Sequence, residues 1–327
     1  MSIATAITNL QGKIANAYTA IENKGGTLPA TQNAENLSAT IDAIPGGVKF
    51  GLTIDDVLTT ETTGNETTLR LFADVTEINM PGVTKLSGTW EEVFAGRKKL
   101  TSVSFPNLKN TPSFRNAFNG CTSLSSISFP ELSSVSNSWY STFRNTNLAS
   151  VSFPSLKTIT STFENAFNGC TNLTTVSFPE LTSVVTTGSF TGFAACFSGC
   201  TKLTSVSFPK LAEVNGLGMF RAFVQNTLIT SLSFPALSSI VSNVSSGTTT
   251  VMFCGNTSLT RIDFPSLTLI KKASTATSNN LLYLFTGCTN LVEIHFGAEN
   301  RAIIEAADGY ATKWGAPNAN CQIYFDL

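Results

Sequence analysis

The feature that most constrains the fold is a nine-residue motif that recurs along the chain. Its clear copies have the form L-T-S-V-S-F-P-x-L and begin at Leu100, Leu124, Leu148, Leu173, Leu203, Ile229 and Leu259. A degenerate copy begins at Leu291, and VTEINMPGV is an earlier copy that begins at Val75. A unit of this size cannot bury its apolar face alone, so it must stack on its neighbours. The sequence therefore predicts a repeat solenoid.

The centre of the motif predicts a short strand. In the copy at Leu100, Val103 and Phe105 alternate with Ser102 and Ser104, which is the period of a strand buried on one face. Pro106 has no N–H to donate, so it ends the ladder. We expect Val103 and Phe105 to face inward and the two serines to face outward.

The remainder of each repeat predicts the rest of a coil. Apolar positions after the motif, such as Leu132 and Val135, indicate a second short strand or an extended turn. An aromatic pair four positions apart, as at Phe114 and Phe118, indicates one face of a helical turn. The predicted fold class is a solenoid of short parallel β-strands and helical turns.

Composition narrows the range of partners. Only 13% of the residues are charged, against about 25% in an ordinary soluble domain, and the net charge is −1. Phosphate recognition needs clustered Lys and Arg, so nucleic acid is not an expected partner.

No apolar run approaches the roughly 18 residues that a membrane span needs, so no membrane insertion is predicted. The N-terminus lacks the features of a secretory signal, and reduced thiols are expected.

Four of the seven cysteines occupy one slot, eight positions before the motif Phe: Cys121, Cys170, Cys200 and Cys288. Other coils hold Asn145, Asn226 and Asn256 in that slot. A disulfide or a metal site would not tolerate Asn there, whereas both Cys and Asn can donate to a carbonyl oxygen. We interpret the slot as a structural ladder that satisfies turn backbone groups.

Two chemical alternatives for the cysteines stay open. Neighbouring coils could bring Cys170 and Cys200 to disulfide distance, about 5–6 Å between their Cα atoms. Cys196 and Cys200 have C-x-x-x-C spacing, a weak zinc signal, although alanines fill the Cys196 position in other coils. Cys254 and Cys321 fit no common slot. The sequence predicts no metal and no cofactor.

Catalytic candidates are few. His295 is the only histidine, and it replaces an outward serine of the motif, so we expect an exposed side chain without a catalytic role. The adjacent carboxylates Glu91-Glu92 and Asp55-Asp56 are expected to be solvated. Because glycosidases use two carboxylates, a glycan-active enzyme remains a remote alternative.

The ends and the longer repeats suggest the domain organisation. Residues 1–47 predict an N-terminal helical hairpin for attachment or oligomerisation, 48–74 a linker and first irregular coil, 75–296 the solenoid, and 297–327 a C-terminal cap. Three insertions, Thr186–Gly192, Val241–Val251 and Lys271–Tyr283, are predicted to leave one edge of the rod, where binding loops are common, although plain tolerance of loops is the alternative. The candidate ligand-binding surface comprises Trp139, Tyr140, Phe190, Lys271, Lys272 and Tyr283.

The segments AFNGCTSLSSISFPEL (117–132) and AFNGCTNLTTVSFPEL (166–181) resemble the BspA-like (Treponema-type) leucine-rich repeat family. The resemblance covers roughly residues 75–327. It implies a leucine-rich-repeat scaffold of the kind found in surface adhesins and ligand-binding modules, not in enzymes. Residues 17–47 are similar to N-terminal segments of bacteriophage tail and other virion structural proteins.

These resemblances imply a non-catalytic binding scaffold. The first expectation is a virion protein, a tail-associated adhesin or receptor-binding protein of a phage particle. The alternative is an adhesin or host-interaction protein at a bacterial cell surface or outside the cell. Expected partners are a surface protein or glycan of a bacterial host, other virion proteins that contact the hairpin, or copies of the same chain in a homo-oligomer such as a trimer.

Overall fold

The repeats form a parallel β-solenoid, as predicted. The computed structural model describes residues 15–19, 76–79, 83–86, 90–185, 192–215, 222–223, 228–242, 253, 255–272, 284–307 and 310–327. Within these residues, every pair of hydrogen-bonded strands is parallel, and strands of the same type from neighbouring coils lie side by side.

One side of the solenoid consists of the motif strands. These are β1 (Glu77–Asn79), β2 (Ser102–Ser104), β3 (Ser126–Ser128), β5 (Ser150–Ser152), β7 (Thr175–Ser177), β9 (Ser205–Ser207), β11 (Ser231–Ser233), β13 (Arg261–Phe264), β15 (Glu293–Phe296) and β16 (Gln322–Phe325). Val103 and Phe105 are buried and Ser102 and Ser104 are half-exposed, so the predicted alternation is confirmed. The copies at Val75 and Leu291 also contribute motif strands, β1 and β15, and each pairs with its neighbour.

The apolar positions after each motif form a second sheet. Its six strands are β4 (Ser134–Val135), β6 (Thr158–Ile159), β8 (Ser183–Val185), β10 (Glu213–Asn215), β12 (Ser239–Ser242) and β14 (Leu269–Lys272). Val135 pairs with Ile159, and both side chains are fully buried. Since Pro stops the first strand and the chain bends before Leu132, each coil contributes one short strand to each sheet.

The aromatic pairs lie on a series of tight turns that bond both within their own coil and to the next coil. Phe118 donates its N–H to the carbonyl oxygen of Thr142 in the next coil (2.9 Å), whereas Ala117 donates to Phe114 in its own coil (2.9 Å). Bonds of both kinds recur along the stack, so the turns connect each coil to the next. Asn116 between them adopts φ 53°, a left-handed conformation that turns the chain and leaves both rings facing the core.

The core is built from columns of stacked rings. Phe118 lies between Phe94 and Phe143, at centroid distances of 5.5 and 5.4 Å with planes within 5° of parallel. The motif phenylalanines form a second column, in which Phe178 and Phe208 stack at 5.2 Å. Ring pairs of this kind stabilise a core beyond the area they bury, because the ring edge and face carry opposite partial charges. The repeat spacing therefore places each ring over its equivalent in the next coil.

The ladder of motif strands is interrupted at two places. β3 ends one group of paired strands and β5 begins the next, and a second interruption separates β9 from β11. The second sheet is continuous past both points. The coils therefore remain stacked while two junctions open on the motif-strand side.

The C-terminal residues continue the repeat and also cover it. A short 3-10 segment (Ala298–Asn300) leads into a helix (Arg301–Glu305), and β16 then pairs with β15. Trp314 is fully buried against the Phe296 ring, 5.7 Å away. In the predicted N-terminal hairpin, residues 15–19 are helical; the other residues of 1–47 and all of 48–74 lie outside the described residues.

Candidate functional site

The outward face of the motif strands carries a regular array of hydroxyl groups. In β2, β3, β5, β7, β9 and β11 both outward positions are Ser or Thr. Neighbouring strands in a sheet lie about 4.8 Å apart, so the hydroxyls form two parallel columns along the solenoid. This surface is polar and uncharged over six coils, which suits hydrogen bonding to a neutral partner.

Charged residues replace the hydroxyls in the last coils. Arg261 donates to Asp263 at 2.8 Å and lies 3.5 Å from a carboxylate oxygen of Glu293. These ion pairs raise the pKa of the Arg261 guanidinium, with the Asp263 hydrogen bond as the main cause. The described end of the solenoid is therefore distinct in charge from its hydroxyl-rich middle.

His295 belongs to this charged end, and the expectation that it is exposed is wrong. Only 4% of the residue is accessible, because its ring stacks on Tyr324 at 4.7 Å. Its Nδ1 lies 2.7 Å from a carboxylate oxygen of Asp326, and its Nε2 lies 3.3 Å from one of Glu293. Tyr324 belongs to β16 and Asp326 follows it, whereas Glu293 belongs to β15 itself. His295 thus ties the last strand to its neighbour.

The acidic pair Glu91-Glu92 forms surface hydrogen bonds at the start of the turn column, which is the stack of tight turns that carry the aromatic pairs. Glu91 accepts from the Ser113 hydroxyl at 2.8 Å, and Glu92 accepts from the Asn116 amide at 3.2 Å. Both glutamates are exposed and bond to the neighbouring coil. Asp55 and Asp56 lie outside the described residues. The geometry of Glu91 and Glu92 is that of cross-coil contacts on a solvated face.

Trp139 lies in the core and not on the predicted ligand-binding surface. Its side chain is fully buried, stacks on Phe163 at 5.1 Å and donates from Nε1 to the Thr111 hydroxyl at 2.7 Å. Trp139 and Phe143 are four positions apart, as are Phe114 and Phe118. That spacing was the signal that identifies Trp139 as the core aromatic of its coil.

The other predicted surface residues are only partly described. Tyr140 is half-exposed on the turn column, where the Arg115 guanidinium lies 5.4 Å from its ring centroid. Lys271 and Lys272 are the last residues of β14 and pair with β12. Phe190 and Tyr283 lie outside the described residues. The role of these residues in binding remains a proposal.

The cysteine slot is a set of cross-coil hydrogen bonds. Each thiol donates to the carbonyl oxygen of the second aromatic residue in the preceding coil, at 3.0–3.1 Å: Cys121 to Phe94, Cys170 to Phe143, Cys200 to Phe167 and Cys288 to Phe253. Asn256 fills the slot differently and donates to Phe253 of its own coil at 2.7 Å. Asn226 lies outside the described residues.

Asn145 does not occupy this slot, because the segment from Phe143 to Leu148 is one residue shorter than the equivalent segment of the neighbouring coils. It is exposed and adopts φ 57°, the conformation of Gly120 and Gly169 in the adjacent coils. Among residues other than Gly, Asn adopts this conformation with little strain. The buried slot is filled by Thr146, which donates to the Phe143 carbonyl oxygen at 2.8 Å.

The buried thiols are protonated and unreactive at neutral pH. The six cysteines in the described part of the chain are buried and free. Burial raises the pKa of the Cys121 and Cys170 thiols to about 11, and it raises the pKa of Cys196 and Cys200 as well. A thiol that keeps its proton is a poor nucleophile and a poor metal ligand. Among the described residues, no group of three or more His, Cys, Asp or Glu side chains is arranged to hold a metal ion.

The described helices are too short or too polar to cross a bilayer. A search of curated proteins finds no match. Solved structures that match include a leucine-rich repeat protein from Bacteroides ovatus, at 20% identity and a TM-score of 0.43, over 77% of this chain and 67% of that one. The leucine-rich repeat protein of T. pallidum matches at 17% identity and a TM-score of 0.37, over 76% and 87%. A leucine-rich cell surface protein from Faecalibacterium prausnitzii matches at 17% and 0.28, over 75% and 67%.

The family model for the BspA type leucine-rich repeat region matches in six copies, over residues 88–195 and 193–307. These ranges include the motif strands from β2 to β15, the second sheet and the turn column with its cysteine slot. By its repeat and by this match, the chain belongs to the BspA-type leucine-rich repeat family.

Proposed function

We propose that this protein is a non-catalytic binding scaffold at a bacterial cell surface and that its partner is a protein. The observation that supports the proposal most directly is the difference between the inward and the outward positions of each motif strand. Inward positions stay Val, Ile, Leu or Phe, whereas outward positions change from Ser to Arg261, Asp263 and Glu293 without disturbing the register. Stacking leaves the outward positions free for recognition.

The charged end is the part of the outward face that we propose contacts the partner. Arg261, Asp263 and Glu293 lie on adjacent strands and are partly accessible, with 22–39% of each side chain exposed. A mixed cluster of this kind selects a partner of complementary charge and excludes others. BspA-type repeat families are known for surface scaffolds, which supports the location.

Binding to intact cells tests the proposal. Labelled full-length protein should bind host or neighbouring bacterial cells saturably, and protease treatment of those cells should abolish binding. Replacing Arg261→Ser together with Asp263→Ser restores the hydroxyl pattern of the other coils and should weaken binding at least about tenfold. Glu131→Ser, an exposed change elsewhere on the solenoid, serves as the control and should bind normally. Binding that resists protease, or equal binding by all variants, would contradict the proposal.

The similarity of residues 17–47 to phage tail segments supports a second location, the virion. Phage particles purified by density gradient and probed with an antibody to this chain would contain it if that proposal is right. Protease shaving of intact producing cells would instead release it if the protein is displayed at the cell surface. The two fractions separate the proposals directly.

A further inference from the structure

A cleft opens on the hydroxyl face between β3 and β5. Its volume is about 320 Å³, and its walls include Ser126 and Ser128 of one coil and Ser150 and Ser152 of the next. Its floor includes Ile127. The cleft coincides with the first interruption of the motif-strand ladder.

The cleft follows from the length of one turn segment. Phe143 and Phe153 are ten positions apart, whereas the equivalent residues Phe118 and Phe129 are eleven apart. The missing residue shifts the contact between the coils. Asn147 donates its N–H to Leu124 at 3.0 Å, and within the described residues neither Ala149 nor Ser150 donates to the carbonyl oxygen of Ser125.

Neighbouring junctions show what is lost. Ser125 donates to the Thr101 carbonyl oxygen at 3.0 Å, and Thr174 donates to that of Ala149 at 2.9 Å. The Ser125 carbonyl is the equivalent acceptor at the open junction. Ser125 lines the cleft, so the cleft includes a backbone acceptor that the ladder of motif strands does not use.

The opening is confined to the strand face. The rings of Phe129 and Phe153 are 6.3 Å apart, compared with 5.4 Å for Phe105 and Phe129. On the turn column, Phe118 and Phe143 remain stacked at 5.4 Å. The wedge leaves Ile127 half-buried, whereas the equivalent Val103 is 1% exposed. Coils that are held together on two sides keep the cleft open without a ligand.

The chemistry of the walls defines what fits. The lining combines serine hydroxyls with the apolar surfaces of Ile127, Pro130 and Pro154, and it contains no charged side chain. Hydroxyls both donate and accept, and an apolar patch can pack against C–H groups. We infer that the cleft is a binding site for a neutral carbohydrate, whose rings present hydroxyls at their edges and C–H groups on their faces. Small-ligand pockets run from roughly 300 to 1,000 Å³, so this one suits a mono- or disaccharide.

The hydroxyl columns alone do not make this site. Strands β7 and β9 present Thr175, Ser177, Ser205 and Ser207 in the same arrangement, but they are paired along their whole length. Their backbone groups bond to each other. The matched junction therefore separates the effect of the gap from that of the serines.

The sharpest test closes the cleft. Inserting one Thr between Thr146 and Asn147 reproduces the order and length of the coil at Cys170-Thr171-Asn172, which restores the eleven-position spacing. Full-length protein is titrated with N-acetylglucosamine, galactose, lactose and cellobiose by saturation-transfer NMR, and thermal unfolding confirms that each variant is folded. At least one sugar should bind wild type saturably, and the insertion should abolish that binding.

Substitutions give a second readout that does not depend on the insertion. Ser126→Ala with Ser150→Ala should weaken binding about tenfold or more, since each lost hydrogen bond is worth roughly 1 kcal/mol. Ser177→Ala with Ser207→Ala should leave it unchanged. Four results would overturn the inference: no saturable binding of any of the sugars, binding that survives the insertion, equal loss in both double variants, or binding of a neutral serine-rich tetrapeptide in place of sugar. Failure here leaves the protein-binding scaffold untouched.

Discussion

The Thr146 hydroxyl and the Cys170 thiol lie 3.2 Å apart inside the solenoid, and both donate to the carbonyl oxygen of Phe143, at 2.8 and 3.1 Å. One acceptor thus serves two coils. Thr146 sits where other coils have Cys, so a side chain with a hydroxyl donor can replace the thiol. Donation to a carbonyl oxygen is what Cys, Thr and Asn256 share in this slot.

Thr146→Val should destabilise the protein by about 1 kcal/mol, because it keeps the shape but removes a buried donor. Thr146→Cys should be close to neutral. Chemical denaturation measures both. Thr122→Val, an exposed threonine of the preceding coil, is the control and should change little. Equal stability of the wild type and Thr146→Val would show that the Thr146 hydroxyl does not stabilise the buried slot.

Stability should fall as pH rises from about 9 to about 11. The unfolded thiols lose their protons near pH 9.0, whereas the folded Cys121 and Cys170 hold theirs until about pH 11. This stabilising contribution is therefore complete below pH 9 and lost through the window above it, at most about 3 kcal/mol per thiol. Denaturation midpoints at several pH values measure it.

Other groups titrate in the same range, so the informative quantity is a difference. Cys121→Ser with Cys170→Ser keeps a donor in each slot but does not titrate there. Between about pH 8.5 and about pH 10.5, the variant should lose less free energy of unfolding than the wild type, because it lacks the two thiols that titrate in this range. Parallel pH curves for wild type and variant would contradict the assignment.

Asn145→Gly should be neutral or slightly stabilising, and Asn145→Val should destabilise by about 1–2 kcal/mol. The residue has φ 57°, which Gly adopts freely and a β-branched side chain avoids. Thermal unfolding compares these with Arg144→Val at the adjacent exposed position. A Val at 145 that is as well tolerated as one at 144 would show that the turn does not need a left-handed residue.

Trp139→Ala should cost about 3–5 kcal/mol, as removal of a large core ring usually does. Trp139→Phe loses the hydrogen bond to the Thr111 hydroxyl but keeps a ring in the core. It should therefore lower the free energy of unfolding by less than Trp139→Ala does. Tyr140→Ala, next to it on the surface, is the control for stability. If Trp139→Ala unfolded no more easily than Tyr140→Ala, the buried position of Trp139 would be wrong.

His295→Ala should loosen the last coil without affecting distant ones. The ring contacts Tyr324, Asp326 and Glu293, so its loss removes ties between β16 and β15. Coils of a solenoid interact mainly with their neighbours. Amide hydrogen exchange should therefore quicken in β16 and β15 and stay unchanged in β2 and β3. Uniform quickening along the chain would indicate a cooperative unit larger than the end coils.

The core of each coil could be predicted from the sequence because it depends on local periodicity. Alternation around Val103 and Phe105, the stop at Pro106 and the regular return of the motif are enough to specify strand, turn and stacking. The apolar positions after the motif indicated a second short strand or an extended turn, and the structure contains the strand. These features repeat, so each copy supports the reading of the others.

What the tertiary structure decided lies between coils. Counting back from the motif Phe placed Asn145 in the buried cysteine slot. The hydrogen bonds to Phe143 and Cys170 show that Thr146 occupies the slot instead. His295 has the position of an outward serine, yet it is buried by residues about 30 positions later in the chain. The cleft beside Ile127 likewise arises where one short turn meets two neighbours of ordinary length. Sequence periodicity determines what each coil is, whereas register across the stack, which is set by contacts between distant residues, decides which side chains are buried and where the surface opens.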